Sequence, residues 1–266
     1  MELLCPLCGN PLIKQDKSYR CETGHSFDIA RQGHINLLPV QHKRSLSPGD
    51  TAQQVVSRRS FLDAGFYAPI RDILCDLAKR HNCAGPILDI GCGEGYYSAA
   101  LSAAMETELL GLDISKEAVR YAAGRYKAAT WICASAAHLP VKEHSFGLIT
   151  SLFALTIPEE FRRVLRPDGA FIQVLAAEDH LLGLKRIIYP ELHHKEKFTT
   201  PQIPGFRLEE SRPLQFSFTV EGQQLQNLLS MTPHVYRISK EGAENLRKTP
   251  KLTDTASCVL NLYRPE

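Results

Sequence analysis

The stretch PILDIGCGEGYYSAALSAAM constrains this chain most. A short apolar run, residues 87–90, passes through a glycine-rich turn into an apolar helical segment that begins near Tyr96. Gly91, Gly93 and Gly95 let the backbone approach a ligand and then turn into a helix amino terminus. A lone Gly-x-Gly-x-Gly is weak evidence, but a strand before it and a helix after it predict the start of a βαβ unit. The following ELLGLDIS reads as a second strand ending at Asp113, about 20 residues past the glycines, where a carboxylate can accept both hydroxyls of a ribose.

The pattern continues with strands expected over 130–134, 146–151 and 170–175, and with a helix over 158–165 leading through RPDG into the last of them. Strands alternating with helices imply a parallel, doubly wound sheet with ligands at the strands' carboxyl edge. Residues 207–220 and 257–263 supply sixth and seventh strands, with apolar helical stretches over 221–230 and 239–248 between them. Ahead of the sheet, Asp50 or Thr51 can cap a helix running to Ala64, and a second helix covers about residues 69–81. The expected fold class is α/β: a Rossmann-like, seven-stranded, mostly parallel sheet with a small amino-terminal zinc-binding module.

That module rests on cysteine spacing. The segment CPLCGNPLIKQDKSYRCETGH puts two residues between Cys5 and Cys8 and, after twelve more, three between Cys21 and His25, a spacing that suits tetrahedral zinc. About 30 residues hold no core alone, so metal binding would supply the folding free energy and the site would be structural. His34 and His42 fall outside the spacing and read as solvated or surface residues. Cys75, Cys83, Cys92, Cys133 and Cys258 stand singly and read as buried or inert thiols.

The chain has 266 residues, 44% hydrophobic and 23% charged, which excludes collagen, coiled coil and disorder. A net charge of +2 gives no global field for a polyanion, so any such surface is local. Between Arg31 and Arg59 five basic residues (Arg31, Lys43, Arg44, Arg58, Arg59) face one acid, Asp50. Pro39, Pro48 and Gly49 make residues 36–49 an extended connector. A basic connector beside a zinc knuckle suits a nucleic-acid surface, and a solvated linker is the plain alternative. Residues 1–33, 34–51 and 52–266 are the expected knuckle, basic linker and main domain. MELLCPLCGN lacks a basic-then-apolar leader and no run of about 18 apolar residues occurs, so a cytoplasmic protein without a membrane partner is expected.

The Asp-x-Gly-x-Gly-x-Gly form headed by Asp89 resembles the nucleoside-binding loop of class I S-adenosylmethionine methyltransferases. The resemblance implies that Asp89, Gly91, Gly93, Glu94, Gly95, Tyr96 and Asp113 surround that cofactor, with Asp89 organising the loop and Glu94 toward the amino group. It puts Ser135, Ala136 and His138 of SAAHLP against adenine. With the knuckle, HINLLPVQHKRSLSPGD, RRSFLDAGFYAPIRD and MTPHVYR, the chain over essentially its whole length resembles the zinc-containing bacterial 23S ribosomal RNA guanine-N1 methyltransferases, which include macrolide-resistance members.

This second resemblance implies methylation of ring nitrogen 1 of a guanine in a domain II hairpin loop, a homodimer framing an RNA cleft, and structural Zn2+ on Cys5, Cys8, Cys21 and His25. Lys43, Arg44, Arg58, Arg59 and Arg237 are the candidate phosphate contacts; Arg58 and Arg59, adjacent on a helix, point apart. Phe153, Tyr67 and Tyr96 are candidates to stack on the base. No catalytic base is identified, with His180 the weak candidate. The family commonly reads aromatic-Ala-Pro-Cys after the fourth strand, where this chain reads Phe153, Ala154, Leu155, Thr156. That departure leaves open altered selectivity or a catalytically silent RNA- and cofactor-binding relative. A methyltransferase of another RNA or of a small molecule is a further alternative, and a dehydrogenase is disfavoured because Gly-x-Gly-x-x-Gly spacing is missing.

Overall fold

The computed structural model describes residues 1–42, 45, 48–192 and 198–266. Three short strands, β1 (Ile13–Gln15), β2 (Ser18–Arg20) and β3 (Ser26–Asp28), form an antiparallel ribbon. The chain then enters the main sheet as β4 (Ile35–Asn36), parallel to β7 (Thr130–Cys133). The segment expected as a connector from residue 36 therefore begins inside the sheet, which has eight strands among the described residues rather than seven.

Helix α1 (Ala52–Asp63) opens on a capping box, the Thr51 hydroxyl accepting from the Gln54 amide while the Gln54 side chain accepts from the Thr51 amide. Helix α2 (Ala68–Arg80) has Pro69 in its first turn and buries Ile70, Leu74 and Leu77, four and three residues apart on one face. The alternation follows as β5 (Ile87–Ile90), α3 (Tyr96–Met105), β6 (Leu109–Asp113), α4 (Lys116–Arg125), β7, β8 (Phe146–Leu152), α5 (Pro158–Val164) and β9 (Leu165–Ala176). Then come α6 (Leu182–Ile188), β10 (Phe206–Glu221), α7 (Gln223–Ser230), α8 (Lys240–Lys248) and β11 (Lys251–Pro265).

The order is β10-β11-β9-β8-β5-β6-β7-β4. From β9 to β4 every pairing is parallel, and β11 alone is antiparallel to both its neighbours. The order reverses between β5 and β8, and a crevice opens outside the strand ends at such a point.

Alternate residues of each strand feed two cores. One face packs Ile87, Leu148 and Ile172 against α1–α4 and α6–α8. The other packs Leu88, Ile149 and Phe171 against α5, and there Leu3, Leu12, Cys5 and Cys21 of the amino-terminal module join the same apolar cluster. Backbone bonds such as Leu4 N–H to Pro140 O, 2.8 Å, tie the module down.

His34, expected at the surface, is 2% exposed, in the charge field of Lys116 and Arg120 of α4, and its Nδ1 has no hydrogen-bond partner among the described residues. It lies one residue before β4, and entry into the sheet draws it inside. Of the single cysteines, Cys83, Cys92, Cys133 and Cys258 are buried and Cys75 is half-buried, in keeping with their reading as small apolar residues. Among the described residues no helix is long and apolar enough to cross a membrane.

Candidate active site and metal centre

In the amino-terminal module the turn after Cys5 and the loop between β2 and β3 bring four ligand atoms within 4.8 Å of one another, from Cys5, Cys8, Cys21 and His25. For Zn–S bonds of about 2.3 Å, a tetrahedron has S···S edges of roughly 3.8 Å and S···N edges of roughly 3.5 Å. The Cys8–Cys21 sulfurs stand 3.7 Å apart, and His25 Nδ1 is 3.5 Å from the sulfurs of both Cys5 and Cys21. The donor set fits zinc in both kind and spacing.

Sequence reasoning missed Thr23, whose hydroxyl lies 3.0 Å from Cys21 Sγ, 3.1 Å from Cys8 Sγ and 3.2 Å from His25 Nδ1. Burial opposes ionisation of Cys21, but the hydrogen bonds around it, Thr23 foremost, prevail and bring its thiol down to about 6. A thiolate is the form that ligates. The one available signal was a hydroxyl residue between Cys21 and His25.

The glycine turn lies at the carboxyl end of β5. Gly91 has φ +72°, and a Cβ there would come within 2.6 Å of the Ala154 Cβ. At Gly95, φ +87°, a Cβ would meet the Trp131 ring at 2.7 Å. Above Gly93 the first atom encountered is Arg58 Cδ at 3.8 Å, so the turn is a cradle with room on its open side. Asp113 ends β6 beside it, half-buried, its two oxygens accepting from Gly93 N–H at 2.9 Å and Ser115 N–H at 2.8 Å. Burial raises its pKa. Ser135 and Ala136, half-buried, and His138, exposed, follow β7 at the same sheet edge.

Three further residues expected at the cofactor lie around the same turn. Asp89 is buried, one oxygen accepting from Thr150 Oγ1 at 2.6 Å and the other from Ser98 Oγ, so it fastens α3 to β5 and β8 beneath the loop. Burial pushes its pKa up to about 6. Glu94 is 2% exposed, and neither of its oxygens is hydrogen-bonded among the described residues; Arg125 Nη1 is 3.8 Å away, and burial raises the Glu94 carboxyl to about 7. The Tyr96 hydroxyl accepts from Arg71 of α2 at 3.2 Å.

Beside the cradle, at the ends of β8 and β9, opens a cleft of about 1170 Å³ lined in part by Arg58, Tyr67, Phe153, His180, Met231, His234 and Arg237. Phe153 is 43% exposed with φ +54°, a strained backbone for an aromatic residue that holds its ring toward the cleft. Its ring centroid is 6.0 Å from that of His180. His180 Nδ1 lies 2.9 Å from Ser257 O and 3.2 Å from Ser257 N, and its Nε2 lies 3.3 Å from the Tyr67 hydroxyl. Tyr67 itself is buried among Phe61, Phe216 and Phe218, which removes it as a stacking platform.

Of the candidate phosphate contacts, Arg237 lines this cleft, whereas Arg59 faces outward and pairs with Asp63 at 3.5 Å. Arg58 turns inward, over the glycine turn. Lys43 and Arg44 lie outside the described residues. Sequence reasoning also missed His234 of MTPHVYR, whose Nδ1 lies 2.9 Å from the Tyr189 hydroxyl.

A glycine cradle with an acid at the next strand end, on this strand order, defines a class I S-adenosylmethionine-dependent methyltransferase. Residues 3–46 match the family model described as RlmA, N-terminal, and residues 87–169 match that of a methyltransferase domain. A structure assigned as a type II methyltransferase from Anaeromyxobacter dehalogenans shares the fold, with TM-score 0.51 and 23% identity over 72% of this chain and 97% of that one. The chain is 34% identical to the 23S rRNA (guanine(748)-N(1))-methyltransferase of Streptomyces fradiae, over 99% of this chain and 96% of the other. It is 30% identical to a Bacillus subtilis protein assigned as a 23S rRNA (guanine-N(1)-)-methyltransferase, over 92% and 90%. The chain belongs to the 23S rRNA guanine-N1 methyltransferase family.

Proposed function

We propose that this protein methylates ring nitrogen 1 of a guanine in a domain II hairpin loop of 23S ribosomal RNA. The observation that carries the reading is the relationship, across nearly the full length of both chains, to the Streptomyces fradiae enzyme. The site agrees chemically: a cofactor cradle opens beside a cleft large enough for an unpaired base. Bound S-adenosylmethionine supplies an electrophilic methyl group. The glycine turn and Asp113 hold and orient it, and Phe153 offers an aromatic face to the guanine. No catalytic base is assigned; His180, the candidate for accepting the ring proton, lines the same cleft with its Nδ1 against Ser257 and its Nε2 against the Tyr67 hydroxyl.

Cys5, Cys8, Cys21 and His25 carry a structural Zn2+. Residues 1–33 form the RNA-recognition module, 34–51 the basic linker and 52–266 the catalytic domain, with Lys43, Arg44 and Arg237 on phosphates. Charge reversal at Lys43 and Arg44 should flatten the salt dependence of RNA binding by about one unit of slope for each phosphate no longer neutralised, and an unchanged slope removes them from the interface. The working form is a cytoplasmic homodimer. Light scattering should return twice the 29.7 kDa chain mass, and the single chain mass refutes the dimer.

The deciding experiment incubates the protein with radiolabelled S-adenosylmethionine and 23S rRNA lacking guanine-N1 methylation in that hairpin, then maps the label by nuclease digestion and mass spectrometry. Label on guanine N1 in the hairpin establishes the reaction and the nucleotide. Binding of cofactor and RNA without label points to a different acceptor or to a silent binder, the readings that Leu155 and Thr156 keep in play.

A further inference from the structure

Arg58 stands where the cofactor cradle meets the acceptor cleft. Its Cδ lies against the open side of Gly93, its side chain lines the cleft, and its guanidinium is held from two directions. Asp50 Oδ2 accepts from Nε at 3.1 Å and Nη2 at 2.7 Å, and Met231 O accepts from Nη2 at 3.3 Å. Nη1 makes no hydrogen bond among the described residues. Asp50 is fixed in turn, because its carbonyl accepts from Ser115 Oγ at 2.7 Å, and Ser115 N–H donates to Asp113. Gly93, Asp113, Ser115, Asp50 and Arg58 are thus joined by a chain of hydrogen bonds, and Arg58 Cδ stands 3.8 Å from where a Cβ on Gly93 would sit.

We infer that Arg58 is the receptor for the α-carboxylate of S-adenosylmethionine, offering Nη1 while Asp50 acts as the positioning residue that holds the guanidinium in place. This rests on the reading that the glycine turn holds that cofactor. An Arg already gripped on two nitrogens loses little freedom when it takes a further anion, and a charge-assisted bond in a half-enclosed site is strong. The assignment removes Arg58 from the RNA-phosphate surface, where its place in a basic run had put it. It also binds Asp50, the acid of that run, to the cofactor site.

The test compares, by calorimetry, S-adenosylmethionine with decarboxylated S-adenosylmethionine, which differs only in the missing carboxylate. The unaltered protein should prefer the intact cofactor by about 10- to 100-fold. Arg58→Met should reduce that preference to within about threefold while leaving the affinity for the decarboxylated ligand unchanged. Asp50→Asn should lower the preference by about three- to tenfold, and it serves should Arg58→Met fail to fold. A full preference retained in Arg58→Met or in Asp50→Asn overturns the assignment, as does equal affinity for both ligands in the unaltered protein. Binding of neither ligand by the unaltered protein overturns the methyltransferase reading itself.

Discussion

Asp113 is oriented by the backbone before any ligand arrives, through Gly93 N–H and Ser115 N–H. Asp113→Ala should weaken binding of S-adenosylhomocysteine by about 100-fold, since charge-assisted bonds are lost, while the thermal transition moves little. Unchanged calorimetric affinity would remove Asp113 from the cofactor site. Glu94 tells the opposite story, a carboxyl buried for structure. Its folded pKa, about 7, lies above the ordinary 4.5, so the folded state holds the proton more tightly than the unfolded chain. That contribution is complete below about pH 4.5 and disappears as pH rises through 7. Glu94→Gln should therefore match the unaltered protein near pH 5 and exceed its stability near pH 8 by up to about 3 kcal/mol in denaturant melts. Equal stability at both pH values would show the carboxylate to be compensated.

At the scale of the element, the loop after β8 carries Phe153, Ala154, Leu155 and Thr156. The Thr156 Oγ1 accepts from Gln173 Nε2 at 2.8 Å, and Gln173 is buried with its Oε1 unpartnered. Thr156→Val strands the remaining polar atom and should lower stability by about 1–3 kcal/mol, read from the denaturant midpoint. Leu155, 74% exposed, carries no comparable load. Local chemistry made several elements legible. The start of α1 was legible from a cap at Asp50 or Thr51, of which the structure uses Thr51, and the glycine turn announced itself by its flanks. Two-residue β4 was not legible, because its pairing with β7 joins segments about 97 residues apart and no period emerges from Ile35 and Asn36. The inward turn of Arg58 was equally hidden: adjacency to Arg59 showed that the two diverge, but not which one meets the cradle.

At the scale of the molecule, the amino-terminal module is a structural partner of the sheet. Residues Leu3, Leu12, Cys5 and Cys21 help cover the face on which, among the described residues, α5 is the one helix contributing to the cluster, and β4 closes the outer side of β7. Spacing singled out the four residues whose ligand atoms the structure brings together, yet spacing reports nothing about what lies behind them. Chelation of the metal should lower the thermal transition of the whole chain rather than release a separate small transition. A calorimetric trace with the main peak unmoved would show the two parts to be independent.

The pairing of β4 with β7 has a consequence for behaviour in the cell. A strand end that includes Trp131, Ile132 and Cys133, all buried, is kept from neighbouring molecules by two residues that hang from the zinc-bound ribbon. Once the ribbon loosens, an apolar sheet margin with unpaired amides lies open to any other chain. Metal scarcity would then register as clumping: chelated protein, melting at its lowered transition, should scatter light as its helical circular dichroism is lost, while metal-loaded protein at that temperature stays clear.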